Sequence, residues 1–257
     1  MVFTAINFLE RLNGGDMKKE LNVLSIDYDF FQMVDIDTLA TCYPDGHDLP
    51  TEIANVIWAT YYAASFTRRK LEKVGVDAEK LNELRRIIMK NADRNPPKAM
   101  ITNSHACIFE FIMDEYKSGE YKRLNLVNID MHHDMFNENE TVDCGNWVSH
   151  IVKEIPKTRI KWISNPVSKE AYGLTDRKFE IIENDFESIR DKKWDLIFLC
   201  RSDIWTPPHL DKEFIDIANL IMETSAECRY MPVVMTSRYE DETFLNVVEE
   251  HKKFYPD

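Results

Sequence analysis

Residues 124–136 read LNLVNIDMHHDMF, an apolar run (LNLVNI, 124–129) followed at once by Asp130, His132, His133 and Asp134. The run has the length and composition of a buried strand. Four ionisable side chains in five positions are costly to bury beside it unless they meet partners or a cation. The fold must therefore hide 124–129 and bring something to the charged end.

Runs of the same kind recur along the chain. LNVLSI (21–26), KAMIT (98–102), IKWIS (160–164), WDLIFL (194–199) and YMPVVMT (230–236) each read as strands. Between them lie helical periods at 49–74, 77–92, 106–119 and 211–227, the third stopping at Gly119. Alternating strands and helices predict an α/β fold, a three-layer α/β/α sandwich around a mostly parallel sheet. NADRNPPK (91–98) is the clearest linker, yet strands on either side are expected in one sheet. One domain over 1–257 follows, with 1–18 as a peripheral N-terminal segment.

Composition narrows the function. The 257 residues carry a formal net charge of −13, the wrong sign for a nucleic-acid phosphate backbone. Five scattered cysteines form no C-x-x-C pair and read as reduced thiols. The N-terminus lacks the pattern of a signal peptide, and no apolar stretch approaches the ~18 residues of a membrane span. The expectation is a cytoplasmic protein with no membrane and no nucleic-acid partner. There is no glycine-rich phosphate loop either.

In open α/β sheets the site lies beyond the carboxyl ends of the strands. Those ends carry Asp27 and Asp29 in IDYDFF, His105 in TNSH, Asp130, His132 and Asp134 in IDMHHDM, and Asp203 in CRSDIW. Any one of these alone reads as a turn, cap or packing residue. D-x-H-x-D is different, because continued strand alternation would aim Asp130, His132 and Asp134 to one side and Met131 and His133 to the other. Asp and His without Cys select manganese, iron or zinc over copper. Five or more ligands exceed the three of a typical catalytic zinc, so two ions roughly 3.5–4 Å apart are the economical arrangement.

The order NSH (103–105), DMHHD (130–134), CGNW (144–147) and RSDIWTPP (201–208) resembles the arginase/ureohydrolase family, and most closely the peptide arginases that convert arginine residues of ribosomal peptides to ornithine. The resemblance covers residues 100–210 by motif. It implies an arginase-like fold and a binuclear manganese hydrolase releasing urea from a guanidino substrate, with a place in ribosomal-peptide (RiPP) biosynthesis. It implies His105, Asp130, His132, Asp134 and Asp203 as metal ligands, with Asp134 also the catalytic proton carrier. Asn146 would contact substrate, with Trp147 and Trp205 as candidates to hold or stack on the guanidinium. The family's first late Asp has no counterpart here, since Arg201 stands in its place. Asp27 or Asp29 would then supply a ligand or grip the guanidinium. Val148 replaces the family's His, with His150 the nearest substitute, which opens the site to a peptide or other guanidino compound. A homo-oligomer is left open. Competing readings are a deacetylase-like amidohydrolase, a haloacid-dehalogenase-type phosphatase using Asp27, and a metal-stabilised binding module.

Overall fold

The computed structural model describes residues 20–44, 48–119, 121–136, 140–172 and 180–254; the segment 1–18 lies outside the described residues. Seven strands form one all-parallel sheet: β1 (Glu20–Asp27), β4 (Lys98–Thr102), β5 (Arg123–Asp130), β6 (Thr158–Ser164), β7 (Glu180–Glu183), β8 (Leu196–Cys200) and β9 (Glu227–Tyr230). Their order is β7-β6-β5-β1-β8-β4-β9. β2 (Gln32–Met33) and β3 (Gly75–Val76) pair separately as an antiparallel ribbon. β4, which follows the 91–98 segment, is thus in the same sheet as β1.

The two faces of the sheet follow strand parity. On one, Leu24, Ile26, Val127, Ile129, Ile197 and Leu199 pack with Leu84, Ile87 and Ile88 of α4 (Ala78–Ala92) and Phe214, Ile217 and Ile221 of α8 (Asp211–Thr224). On the other, Leu21, Val23, Leu124, Leu126, Leu196 and Phe198 meet α5 (Cys107–Ser118) and α6 (Trp147–Glu154). Strands sandwiched in this way must be apolar on both faces, which is why they read as unbroken hydrophobic runs. The architecture is a three-layer α/β/α sandwich. A third apolar cluster joins α1 (Ile36–Cys42), α2 (Thr51–Ala63), α3 (Ser65–Leu71) and α9 (Glu242–Lys252), and it takes in Met131. The short α7 (Ser168–Tyr172) completes the helices among the described residues.

Three element boundaries differ from the sequence expectation. The period over 49–74 is broken at Ala64, whose extended backbone (φ −80°, ψ 124°) separates α2 from α3. YMPVVMT is not a strand: Pro232 cannot donate to a ladder and starts a 3-10 turn over Pro232–Met235, so the edge strand β9 runs earlier, over residues expected to end a helix or start that strand. β7, ELNVLSI-like in neither length nor apolarity, is a mostly exposed edge strand that no hydrophobic run announced.

His209 ties two peripheral elements to the core. Its Nδ1 pairs with the Tyr62 hydroxyl and its Nε2 with the Val74 carbonyl at 2.9 Å. Burial holds its pKa below the ordinary value, outweighing the Val74 bond and the charges of Asp211 and Glu213. The folded state therefore prefers neutral imidazole. The stability this contributes is complete above the unfolded value of about 6.5 and is lost as pH falls below it, by at most ~1.4 kcal/mol per pH unit. Thermal unfolding of the wild type should fall more steeply between pH 7 and 5 than that of His209→Gln; parallel curves would show that His209 carries no such linkage.

Candidate metal centre

Four adjacent strands, β5, β1, β8 and β4, end at one place. Asp27 closes β1 beside Cys200 of β8, and Thr102 of β4 pairs with Cys200 on its other side. Asp130 closes β5 one position beyond the Ile26–Ile129 pair. The chain past each end then delivers a polar side chain back over the sheet edge. After β1 a 3-10 turn, Tyr28–Phe31, folds Asp29 inward. After β4 the residues leading to α5 place His105. After β5 the strand does not continue. Residues 131–136 form an irregular turn with Asp134 in the left-handed region (φ 52°), so D-x-H-x-D converges through a turn and not through strand alternation.

The resulting cluster contains Asp27, Asp29, Asp130 and Asp134, each at most 3% exposed, with His105 at 1%. The Nδ1 atom of His105 lies 3.1 Å from Asp27, 3.3 Å from Asp130 and 3.0 Å from Asp134, in each case to Oδ2. The Nδ1 atom of His132 lies 3.0 Å from Asp29 Oδ2 and 3.6 Å from Asp130 Oδ1. Two groups have donor atoms close enough together to hold a metal ion: Asp27, His105 and Asp130, and Asp29, Asp130 and His132. Asp130 is common to both, one oxygen facing each histidine.

A ring of outer partners fixes these donors. The Nε2 atoms, turned away from the acids, pair with Ser25 Oγ for His105 (2.7 Å) and with the Tyr172 hydroxyl for His132 (2.8 Å). Asp27 Oδ2 accepts from Ser202 Oγ at 2.5 Å. Asp130 accepts from Asn128 Nδ2 (3.0 Å) and the His132 amide (2.7 Å). Asp29 Oδ1 accepts from the Met131 amide at 3.2 Å, and Asp134 Oδ2 from Trp147 Nε1 at 2.5 Å. Each donor thus has one face held and one face turned to the cluster, the arrangement that orients metal ligands.

The electrostatics show the cost of this crowding. Burial first, then repulsion from Asp27 and Asp130, pushes the Asp29 carboxyl up to about 7. Burial and Asp130 push Asp134 well above its usual range. For Asp130 burial acts upward too, but the hydrogen bonds and charges of His105 and His132 outweigh it and hold the acid low. Both imidazoles are raised well above their ordinary value because the surrounding carboxylates outweigh burial. Asp29 Oδ2 is buried and is met by the His132 imidazole at 3.0 Å. Carboxylate and imidazole donors in excess fit hard or borderline divalent cations.

The remaining expected site residues divide. Trp205 is half-buried at the rim, its ring 4.7 Å from that of His132. Trp147 is fully buried and holds Asp134 from behind, with no face open to a substrate. Both ends of the Asn146 amide are engaged within its own loop: Nδ2 donates to the Thr141 carbonyl at 3.0 Å and Oδ1 accepts from the Asp143 amide at 2.9 Å. His150 sits further along α6, edge-on to Phe109, with its Nε2 buried and unpaired. Asp203 is placed outside both donor groups. Its oxygens are taken by Arg201 Nε (2.5 Å) and the Thr51 hydroxyl, with Arg238 3.7 Å away. Arg238 in turn grips Asp211 and the carbonyls of Asp203 and Thr206. Asp203, which the resemblance implies as a ligand, is the counter-ion of Arg201 here, and Asp27 and Asp29 bring carboxylates to the cluster instead.

Asp48 was not legible as part of this region. It accepts from the Ser104 hydroxyl beside His105, and burial raises its carboxyl to about 6. Ser25 and Asn128 had a visible signal, each a polar residue two positions before an acid at the end of an apolar strand, so on the same face.

Fold and site together define an α/β protein with a buried Asp/His cluster able to hold metal ions. Comparison with protein-family models, curated proteins and solved structures finds no match.

A divalent ion at ~100 times its Kd would stabilise the fold by ~2.7 kcal/mol, or about 5 °C or more in Tm for a chain of this size. Adding Mn2+ should raise the Tm and a chelator should reverse it. Asp130→Asn should abolish the shift. Asp203→Asn should keep the shift while starting about 3–5 kcal/mol less stable, because Arg201 is left buried without its partner. Equal shifts in wild type and Asp130→Asn would refute the site.

Proposed function

We propose that the protein is a metal-dependent hydrolase of guanidino groups, using two Mn2+ ions and acting on arginine residues of a peptide to leave ornithine and urea. The observation that carries this reading is the pair of donor groups sharing Asp130 at the edge of a parallel sheet. Two divalent ions would match the charges of Asp27, Asp29, Asp130 and Asp134 one for one. Asp27, His105 and Asp130 would hold one ion, and Asp29, Asp130 and His132 the other. The order of the motifs along the chain, with its likeness to the arginases, supports the reaction class.

When bound, such ions lower the pKa of water toward neutrality and supply positive charge where the transition state gathers negative charge. The residues of the chain do the rest. Asp134, held by Trp147 and next to His105, orients the attacking water and receives its proton. The water oxygen forms a bond to the planar guanidinium carbon. Asp134 then passes the proton to the alkyl nitrogen as the carbon–nitrogen bond breaks, and the hydroxyl proton left on the departing urea passes to the freed amine, so that urea and an alkylammonium leave. Trp205 at the rim offers a face for the planar cation. Asn146, whose amide is spent within its loop, is free neither to bind an amino-acid head group nor to exclude a peptide one.

The test is urea release by Mn2+-loaded protein from free arginine, from arginine-containing peptides and, as the deacetylase control, acetate release from acetyl-lysine peptides. Urea from peptides, with kcat reduced about 10²–10⁴-fold in Asp134→Asn, is the expected result. Acetate without urea would replace the reading with the amidohydrolase.

A further inference from the structure

We propose that Ser202 is a positioning residue whose left-handed backbone is held so that its hydroxyl can fix Asp27 for metal binding. The inference rests on the metal-centre reading and gives a role to a residue within RSDIWTPP (201–208) to which the resemblance assigns none. Ser202 is 3% exposed and has φ 49°, a region that a residue with a Cβ adopts at a cost. Beyond Asp134, at the site itself, Asn184 is the one other non-glycine residue so placed among the described residues.

The surroundings over-determine the conformation. The Ser202 amide bonds to Cys200 Sγ at 3.3 Å, and its carbonyl accepts from the amides of Trp205 (2.8 Å) and Thr206 (2.9 Å). Just before it, Arg201 sends its guanidinium down to Asp203 and to the Thr236 carbonyl (3.0 Å). Thr206 Oγ1 closes the turn on the Arg201 carbonyl at 2.6 Å. With Arg201 anchored to Asp203 and Thr236, the left-handed turn at Ser202 lets its hydroxyl donate to Asp27 Oδ2 at the end of β1 at 2.5 Å. That oxygen is the one 3.1 Å from His105 Nδ1. The hydroxyl thus restrains the very carboxylate oxygen that faces the first donor group. A glycine would take this backbone without cost and lack the hydroxyl.

The two roles separate on substitution. Ser202→Gly removes the hydroxyl and the backbone cost together; Ser202→Ala removes the hydroxyl and keeps the cost. Mn2+ affinity, measured by calorimetry on the full chain, should fall about 10–100-fold in both, the range typical of lost outer-sphere partners. In the metal-free state Ser202→Gly should unfold at a higher temperature than Ser202→Ala, the reverse of the usual order at right-handed positions. The effect should pass through Asp27: in an Asp27→Asn background, Ser202→Ala should produce no further loss of affinity. Wild-type Mn2+ affinity in Ser202→Gly and Ser202→Ala, or an undiminished loss in the Asp27→Asn background, overturns the role of Ser202 and leaves the metal centre standing. Absence of Mn2+ binding by the wild type overturns both.

Discussion

Four carboxylates brought out of water at one point are the constraint on which the rest of the structure depends. A buried, unpaired carboxylate is expensive, and neighbouring ones raise the cost of ionising each other. Asp27, Asp29, Asp130 and Asp134 share two histidines, and burial first, then the neighbouring carboxylates, raises the pKa of Asp29 and Asp134. Such a site persists only if the surrounding fold is rigid enough to prevent the acids from turning toward solvent. The all-parallel sheet supplies that rigidity, since β1 and β5 are locked at their carboxyl ends by neighbours on both sides.

The contrast between Asp203 and the clustered acids shows how position along a sheet edge decides chemistry. All are buried aspartates at strand ends. Asp203 lies beside two arginines that neutralise it permanently, so it is a structural counter-ion. Asp27 and Asp29 lie where the histidines are the cationic partners, and these release their protons to solvent when a metal ion takes their place. The buried Arg201–Asp203–Arg238–Asp211 network also anchors the chain after β8 and, through Ser202, reaches the Asp/His cluster itself. Support and site are therefore one connected hydrogen-bonded structure.

Much of the fold was readable from residue order because buried parallel strands must be apolar on both faces. β1, β4, β5, β6 and β8 were each visible as short hydrophobic runs, and α4 and α5 as amphipathic periods. The edge strands were not. β7 and β9 are largely exposed, carry charged residues and gain their identity only from the neighbour they pair with. The break at Ala64 was equally silent, because no glycine or proline marks it and the packing of α2 and α3 decides it.

The residues of the candidate site divide on the same physical line. Local order along the chain was enough to nominate Asp27, Asp29, His105, Asp130, His132 and Asp134, because a polar residue closing an apolar strand is placed at the sheet edge by the strand itself. It could not choose among acids at such ends, and so could not tell Asp203 from Asp27. That choice belongs to the partners the fold supplies: Asp203 is taken by its near neighbour Arg201 and by Thr51, 152 positions away, while Ser202, 175 positions beyond Asp27, holds the other acid. Likewise Tyr172 meets His132 across 40 residues, and Trp147 reaches Asp134 only because α6 folds back over the turn. Chain-local chemistry proposes ligands; three-dimensional packing assigns each one its partner and hence its charge state.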